Sequence, residues 1–148
     1  ARVYGPTLLA DDSKALSQFI HKSISGENVV LKSEGGQYYS YLHVADAASG
    51  LLHVLLLGKT GEAYNLSDVS SDIRLRDLAT LVADAGGVKV VFDLPDAQEA
   101  AGYSKATVAL MDSRKANNEL GWLPVVSITE GIAQTLRIMT AFCQSRTI

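Results

Sequence analysis

Few residues in this chain are of types and spacings that do chemistry, and none of them completes a catalytic motif. "LGKTGEAY" contains Gly58-Lys59-Thr60, the tail of a phosphate-binding loop. That motif needs a glycine five residues before Gly58, and position 53 is His53. Gly58 reads instead as the end of a helix. A dinucleotide-binding G-x-G-x-x-G is absent, and Gly35-Gly36 sits between two strand-like runs, where a hairpin turn is expected. His21, His43 and His53 have no metal-ligand spacing. His21 is expected at a helix edge, and His43 and His53 as packed side chains. The acidic pair Asp11-Asp12, and Asp93 with Asp96, lie beside turns, where capping and solvation account for them.

The elements that must position these residues alternate between helix and strand, which predicts an α/β fold. Leu16, Phe19, Ile20 and Ile24 fall on one face of a helix over Ser13–Ser25, capped by Asp11, Asp12 or Ser13 and stopped at Gly26. Val29–Leu31 and Tyr38–Val44 read as strands. "AASGLLHVLLLG" is apolar nearly all round and predicts a buried helix ending at Gly58. "EAYNLSD" reads as a short strand. Ser70 or Ser71 is the expected cap of a helix carrying Leu75, Leu78, Ala79 and Val82, stopping at Gly86-Gly87. "VKVVFDLP" reads as a strand cut off by Pro95, and "SRKANNELG" as a short helix with Ser113 as cap. Ser127-x-x-Glu130 is a capping box for a last helix with Ile128, Ile132, Leu136 and Met139 inside.

The bulk numbers bound the class. The chain has 148 residues, 47% hydrophobic and 20% charged, with a net charge of −3. One domain is expected, with no bulk bias toward nucleic acid or a membrane surface. The longest apolar run, "GLLHVLLLG", is far short of the roughly 20 residues that span a bilayer. The single cysteine, Cys143, excludes an intrachain disulfide and a thiolate cluster. A cytoplasmic protein without metal fits these facts. The chain opens on "ARVYGP", a strand-like run meeting a Gly-Pro turn, so the expectation is either a trimmed terminus or one half of something larger.

Five stretches in order, over about the whole chain, resemble the NAD-dependent epimerase/dehydratase family, also called extended short-chain dehydrogenases. Arg2-Val3-Tyr4-Gly5-Pro6 is similar to its Asn-Val-Tyr-Gly-Pro element. "EGGQYYSYLHVADAASGLLHVL" resembles its Gly-x-Gln-x-Arg-x-Tyr/Phe-x-x-Val-x-Asp stretch and following helix. "GEAYNLSD" resembles its Tyr-Asn segment, "IRLRDLATLVADAGG" its next helix, and "MDSRKANNELGWLPVVSITEGIAQTL" its closing Leu-Gly-Trp-x-Pro segment.

The resemblance implies that residues 1–148 form a single C-terminal substrate-binding domain, with remnant strands of a Rossmann sheet packed on helices. It implies an N-terminal NAD- or NADP-binding domain outside this chain, carrying the glycine-rich loop and the catalytic Tyr-x-x-x-Lys pair. None of the six tyrosines here has a lysine four residues on, so this chain alone is expected to be inactive and to hold no cofactor. A nucleotide-sugar is the implied substrate. Carried over residue by residue, the substrate contacts fall on Arg2, Gln37, Tyr39, Asn65 and Lys105. Asn65 stands at the Tyr-Asn position near the nucleotide, and an Asn satisfying a turn backbone is the equal alternative.

Three positions depart from the family pattern, the third being near Gly102, where members that bind nucleoside diphosphates often carry another arginine and the nearest cation here is Lys105. Tyr39 stands where many members carry an arginine against the diphosphate, and Arg2 where many carry an asparagine. A tyrosine cannot supply a guanidinium's charge or paired hydrogen bonds. The departures leave open a different sugar donor, a differently placed cation such as Arg2 or Lys105, or a substrate without a diphosphate. They also leave open a non-catalytic binding or regulatory relative of the same fold. A seam that would face an absent half predicts self-association of this chain.

Overall fold

The computed structural model describes residues 1–9, 11–94 and 107–145. Strands β1 (Arg2–Tyr4), β2 (Val29–Leu31), β3 (Tyr38–His43), β4 (Asp72–Arg74), β5 (Val90–Phe92) and β6 (Val108–Ala109) alternate with helices α1 (Ala15–Ile24), α2 (Val44–Leu57), α3 (Leu75–Gly86), α4 (Arg114–Leu120) and α5 (Ile128–Ser145). The fold is α/β, as the alternation predicts.

The strands form two sheets. β3 is the hub of the larger one: it pairs in parallel with β1 and β6 and antiparallel with β4. β2 and β5 make a separate parallel pair. The hairpin expected around Gly35-Gly36 is therefore wrong, because β2 and β3 enter different sheets. The reason lies in the backbone of the connection. Gly35 adopts φ +67°, and a side chain there would meet the Arg76 backbone nitrogen at 2.8 Å. Its carbonyl accepts from Arg76 N–H at 3.0 Å, and the Gln37 carbonyl accepts from Leu75 N–H at 2.8 Å. The loop is thus held on the start of α3 instead of folding back on β2.

Those two bonds also correct the expected helix cap. Neither Ser70 nor Ser71 caps α3; Arg74 precedes it and makes no side-chain cap. The first N–H groups of a helix lack intrahelical acceptors, and here loop carbonyls supply them. Asp68 instead caps a 3₁₀ turn at Val69–Ser71, accepting from Ser70 N–H at 2.9 Å. α1 likewise begins at Ala15 after Lys14 and without a side-chain cap. Asp12 accepts from Lys14 N–H at 3.0 Å, one residue ahead of the helix. Ser113 precedes α4 but makes no cap bond either. At α5, Ser127 accepts from Glu130 N–H at 3.3 Å, as the capping box requires.

"EAYNLSD" is not a strand. Its polar groups reach across to the 111–119 segment: Tyr64 donates to Glu119 at 3.1 Å, Asn65 to the Asp112 carbonyl at 3.3 Å, and Ser67 to the Met111 carbonyl at 2.9 Å. The strand falls just after it, at β4.

One face of the larger sheet carries the main core. Tyr4, Tyr39 and Tyr41 pack with Leu16, Phe19 and Ile20 of α1, Leu78, Ala79 and Val82 of α3, and Ile132, Leu136 and Met139 of α5. The apolar stripes expected on α1, α3 and α5 turn inward here. A smaller cluster on the other side joins Leu42, Ala116, Leu120 and Trp122. Asp46 ties it down: its carboxylate accepts from Val125 and Val126 N–H at 3.1 and 3.0 Å.

α2 overturns the expectation of a buried helix. Only Asp46 and Gly50 are buried. Leu51, Leu52, Leu55 and Leu56 are exposed, the last two by 78% and 76%. An all-round apolar helix has no intrinsic inner face. The described chain covers one flank, where Gly50 sits against Leu66 and Trp122, and leaves the leucine row outward. His53 is half-buried on α2 and meets the Ser49 carbonyl at 2.9 Å. No described helix is long and apolar enough to cross a membrane.

Candidate functional site

A cleft of about 380 Å³ opens between the two sheets, lined by β1, the approach to α1, the end of β2 and the first half of β3. Parallel pairing sets its geometry. Arg2 lies opposite Tyr41 in the β1–β3 ladder, so the two share a sheet face. Tyr39, two residues before Tyr41, points the same way because side chains alternate along a strand. The Arg2 guanidinium stands over the Tyr39 ring, 3.9 Å from its centroid. Two neighbouring strands thereby bring Arg2 and Tyr39 together.

Gln37 joins them in the lining. Its carbonyl oxygen accepts from the Ser33 hydroxyl at 3.4 Å, and no described residue accepts from its amide. Asn65 is not part of the cleft, being turned to the Asp112 carbonyl. Lys105 lies outside the described residues. The cleft thus gathers three of the five residues that the resemblance singles out.

It also gathers residues that sequence reasoning passed over. Lys32 and Ser33 line it from the carboxyl end of β2, and Asp12, Ser13 and Lys14 from the approach to α1. The usable signal was Lys32-Ser33, since α/β folds bind ligands beyond the carboxyl ends of parallel strands. Asp12 and Ser13 read only as caps. Three cations and one carboxylate line the cleft, a positive locus in a chain of net charge −3. Leu8, Leu16, Phe19, Val30 and Leu75 supply an apolar wall.

Deeper on the same sheet face the polar groups are buried. Burial pushes the Tyr41 hydroxyl up to about 12. Tyr4 moves up as well, through burial first and then the charges of Asp68 and Asp46. His43 is 4% exposed, and its Nδ1 accepts from Ala45 N–H at 3.3 Å. Burial lowers its proton affinity, against a smaller opposing pull from Asp46. His43 and Tyr4 meet edge to face, with ring centroids 5.4 Å apart. These groups support the site from behind.

A pyrophosphate is usually cradled where a glycine-rich turn opens a helix. α1 opens after Asp12-Ser13-Lys14, α2 after buried His43 and α3 after Arg74. None of these approaches is glycine-rich.

Residues 1–67 match the NAD dependent epimerase/dehydratase family. A dTDP-glucose 4,6-dehydratase of Streptomyces antibioticus is 32% identical over 135 residues, covering 90% of this chain and 38% of that protein. The structure of a UDP-glucose 4-epimerase of Thermotoga maritima with UDP-glucose superposes with a TM-score of 0.83 at 23% identity, covering 97% of this chain and 45% of that one. The Bordetella bronchiseptica enzyme WbmF, in complex with NAD⁺ and UDP, gives 0.78 at 23% identity over 98% and 45%. The α/β fold is therefore shared with parts of these enzymes. The chain spans 30% to 40% of the length of the curated relatives it matches.

Proposed function

We propose that this chain is the substrate-holding part of an NAD-dependent epimerase/dehydratase acting on a nucleotide-sugar. The observation that carries the reading is the cleft between the sheets, where Arg2, Gln37 and Tyr39 meet Lys14 and Lys32 beside an apolar wall. Cations answer the charge of a diphosphate, the Gln37 amide offers a directional donor, and the wall accepts an uncharged ring. Asn65 contributes by fixing the segment around Ser67 rather than by touching ligand. The cofactor, bound outside these residues, would supply hydride transfer. The proton-transferring Tyr-x-x-x-Lys would also come from outside, and this chain alone is inactive.

The leucine row of α2 supports the same reading. In the whole protein a cofactor-bearing domain covers it, which accords with the chain's share of its relatives' length. Left uncovered, the row drives self-association of the 148-residue chain. A Leu55→Lys variant sediments as a smaller species than the wild type; identical sedimentation of the two would contradict this.

Calorimetric titration with UDP-glucose and dTDP-glucose tests the substrate reading. Saturable binding of one of them, competed by its nucleoside diphosphate, is expected. Heat indistinguishable from dilution with both ligands would defeat it. The non-catalytic alternative draws on Tyr39 in place of the family's arginine, and hydride-transfer activity of the whole protein on any sugar nucleotide would rule it out.

A further inference from the structure

Arg2 is the cation of the cleft that no described carboxylate answers. Lys14 is paired with Asp12 at 3.3 Å, and Lys32 lies 4.0 Å from Asp93. Arg2 is exposed and instead stands over the Tyr39 ring at 3.9 Å. A guanidinium carbon this close to the ring centroid fits a flat contact through the guanidinium face. Its N–H donors lie in the guanidinium plane and are not consumed by the ring. An arginine stacked in this way has restricted rotamers and keeps its hydrogen-bonding edge, which is the fork that matches two phosphate oxygens.

We propose that the Arg2–Tyr39 stack is the phosphate anchor of the cleft, with the ring fixing the guanidinium and its edge binding the diphosphate. This rests on the nucleotide-sugar reading above and assigns the charge to a particular place. Many proteins of the resembling family carry arginine where Tyr39 stands and asparagine where Arg2 stands. Here the cation sits on β1 and the ring on β3, so the charge reaches the same cleft from the neighbouring strand. The departures at Arg2 and Tyr39 are one exchange: Tyr39 without Arg2 leaves no guanidinium on this sheet face, and Arg2 without Tyr39 has no fixed orientation.

The test is calorimetric titration of the 148-residue chain and its variants with UDP, uridine and inorganic pyrophosphate. The unchanged emission of the single buried tryptophan, Trp122, confirms the fold of each variant. Arg2→Met is expected to weaken UDP about tenfold or more while leaving uridine within about twofold. Arg2→Lys recovers only part of that loss, because an ammonium lacks the planar fork. Tyr39→Phe stays within about twofold of wild type and Tyr39→Leu weakens UDP several-fold, since the ring rather than the hydroxyl holds the guanidinium. UDP affinity unchanged in Arg2→Met, with the wild type binding, overturns the anchor and leaves the substrate reading standing. Equal loss of uridine, or full recovery by lysine, also overturns it. Pyrophosphate bound as tightly as UDP marks a free-anion site and overturns it too. A wild type that binds neither UDP nor, in a parallel titration, dTDP defeats the nucleotide-sugar reading itself, and the anchor with it.

Discussion

Helix α3 buries Leu78, Ala79, Val82 and Ala83, whereas α2, two residues longer and richer in leucine, buries only Asp46 and Gly50. α3 alternates its apolar residues with Arg76, Asp77 and Asp84, so its inner face is written in the spacing. Its partners, Ile20, Val29 and Leu136 among them, belong to the same chain. α2 is apolar on every side, and the neighbours it has cover one flank. High hydrophobicity marks a helix as wanting cover, and only amphipathic spacing says which face gets it from within. Exposed apolar patches of this kind mark contact surfaces.

This contrast can be broken by substitution. Leu78→Ala on α3 is expected to cost about 2–5 kcal/mol, the usual range for a fully buried leucine that leaves a cavity. Urea unfolding followed by Trp122 emission measures it, and a loss under about 1 kcal/mol would deny that α3 is core. Next in size is Gly131→Ala on α5. A Cβ there would run into the Tyr4 hydroxyl and approach His43 Cδ2 at 3.1 Å. Overpacking at such a site costs about 1–3 kcal/mol, so the same unfolding curve should shift to lower urea; an unchanged midpoint would mean that the sheet face is loosely filled.

The buried side should also respond to pH through His43. Its proton affinity is lowered in the folded state, so the unfolded chain binds the proton more readily. The stability contributed is complete above the unfolded value of 6.5 and is lost as pH falls toward the depressed folded value. His43→Asn should flatten that part of the stability–pH curve; a slope that survives the substitution points to another group. The smallest effect belongs to α2. Leu55→Lys should change monomer stability by no more than about 0.5 kcal/mol, because the side chain already faces water. A loss as large as that of Leu78→Ala would erase the contrast between the two helices.

Much of the secondary structure was legible from spacing. The stripes on α1, α3 and α5, the Ser127–Glu130 box and the glycine stops after α3 and α4 are local signals that tertiary contacts reinforce. What escaped depends on distant partners. The pairing of β3 with β1 rather than β2 is decided by Gly35 and Gln37 bonding to the start of α3. The irregular path of residues 62–68 is decided by polar bonds to residues 111–119. Arg2 and Tyr39 each stand out in the sequence by departing from the pattern it resembles, yet their contact follows only from the β1–β3 register. Lys14 and Lys32 gave no sign of sharing a cleft, because the elements that carry them are remote in sequence.

The measurement that bears most directly on the cleft is a map of backbone amide shifts on titrating the 148-residue chain with UDP-glucose and dTDP-glucose. The account predicts saturable shifts, with at least one of the two ligands, at Arg2, Lys14, Lys32, Gln37 and Tyr39, with α2 and the Asn65 segment unmoved. Shifts centred on α2 or on Asn65, or no saturable shift anywhere with either ligand, would contradict it.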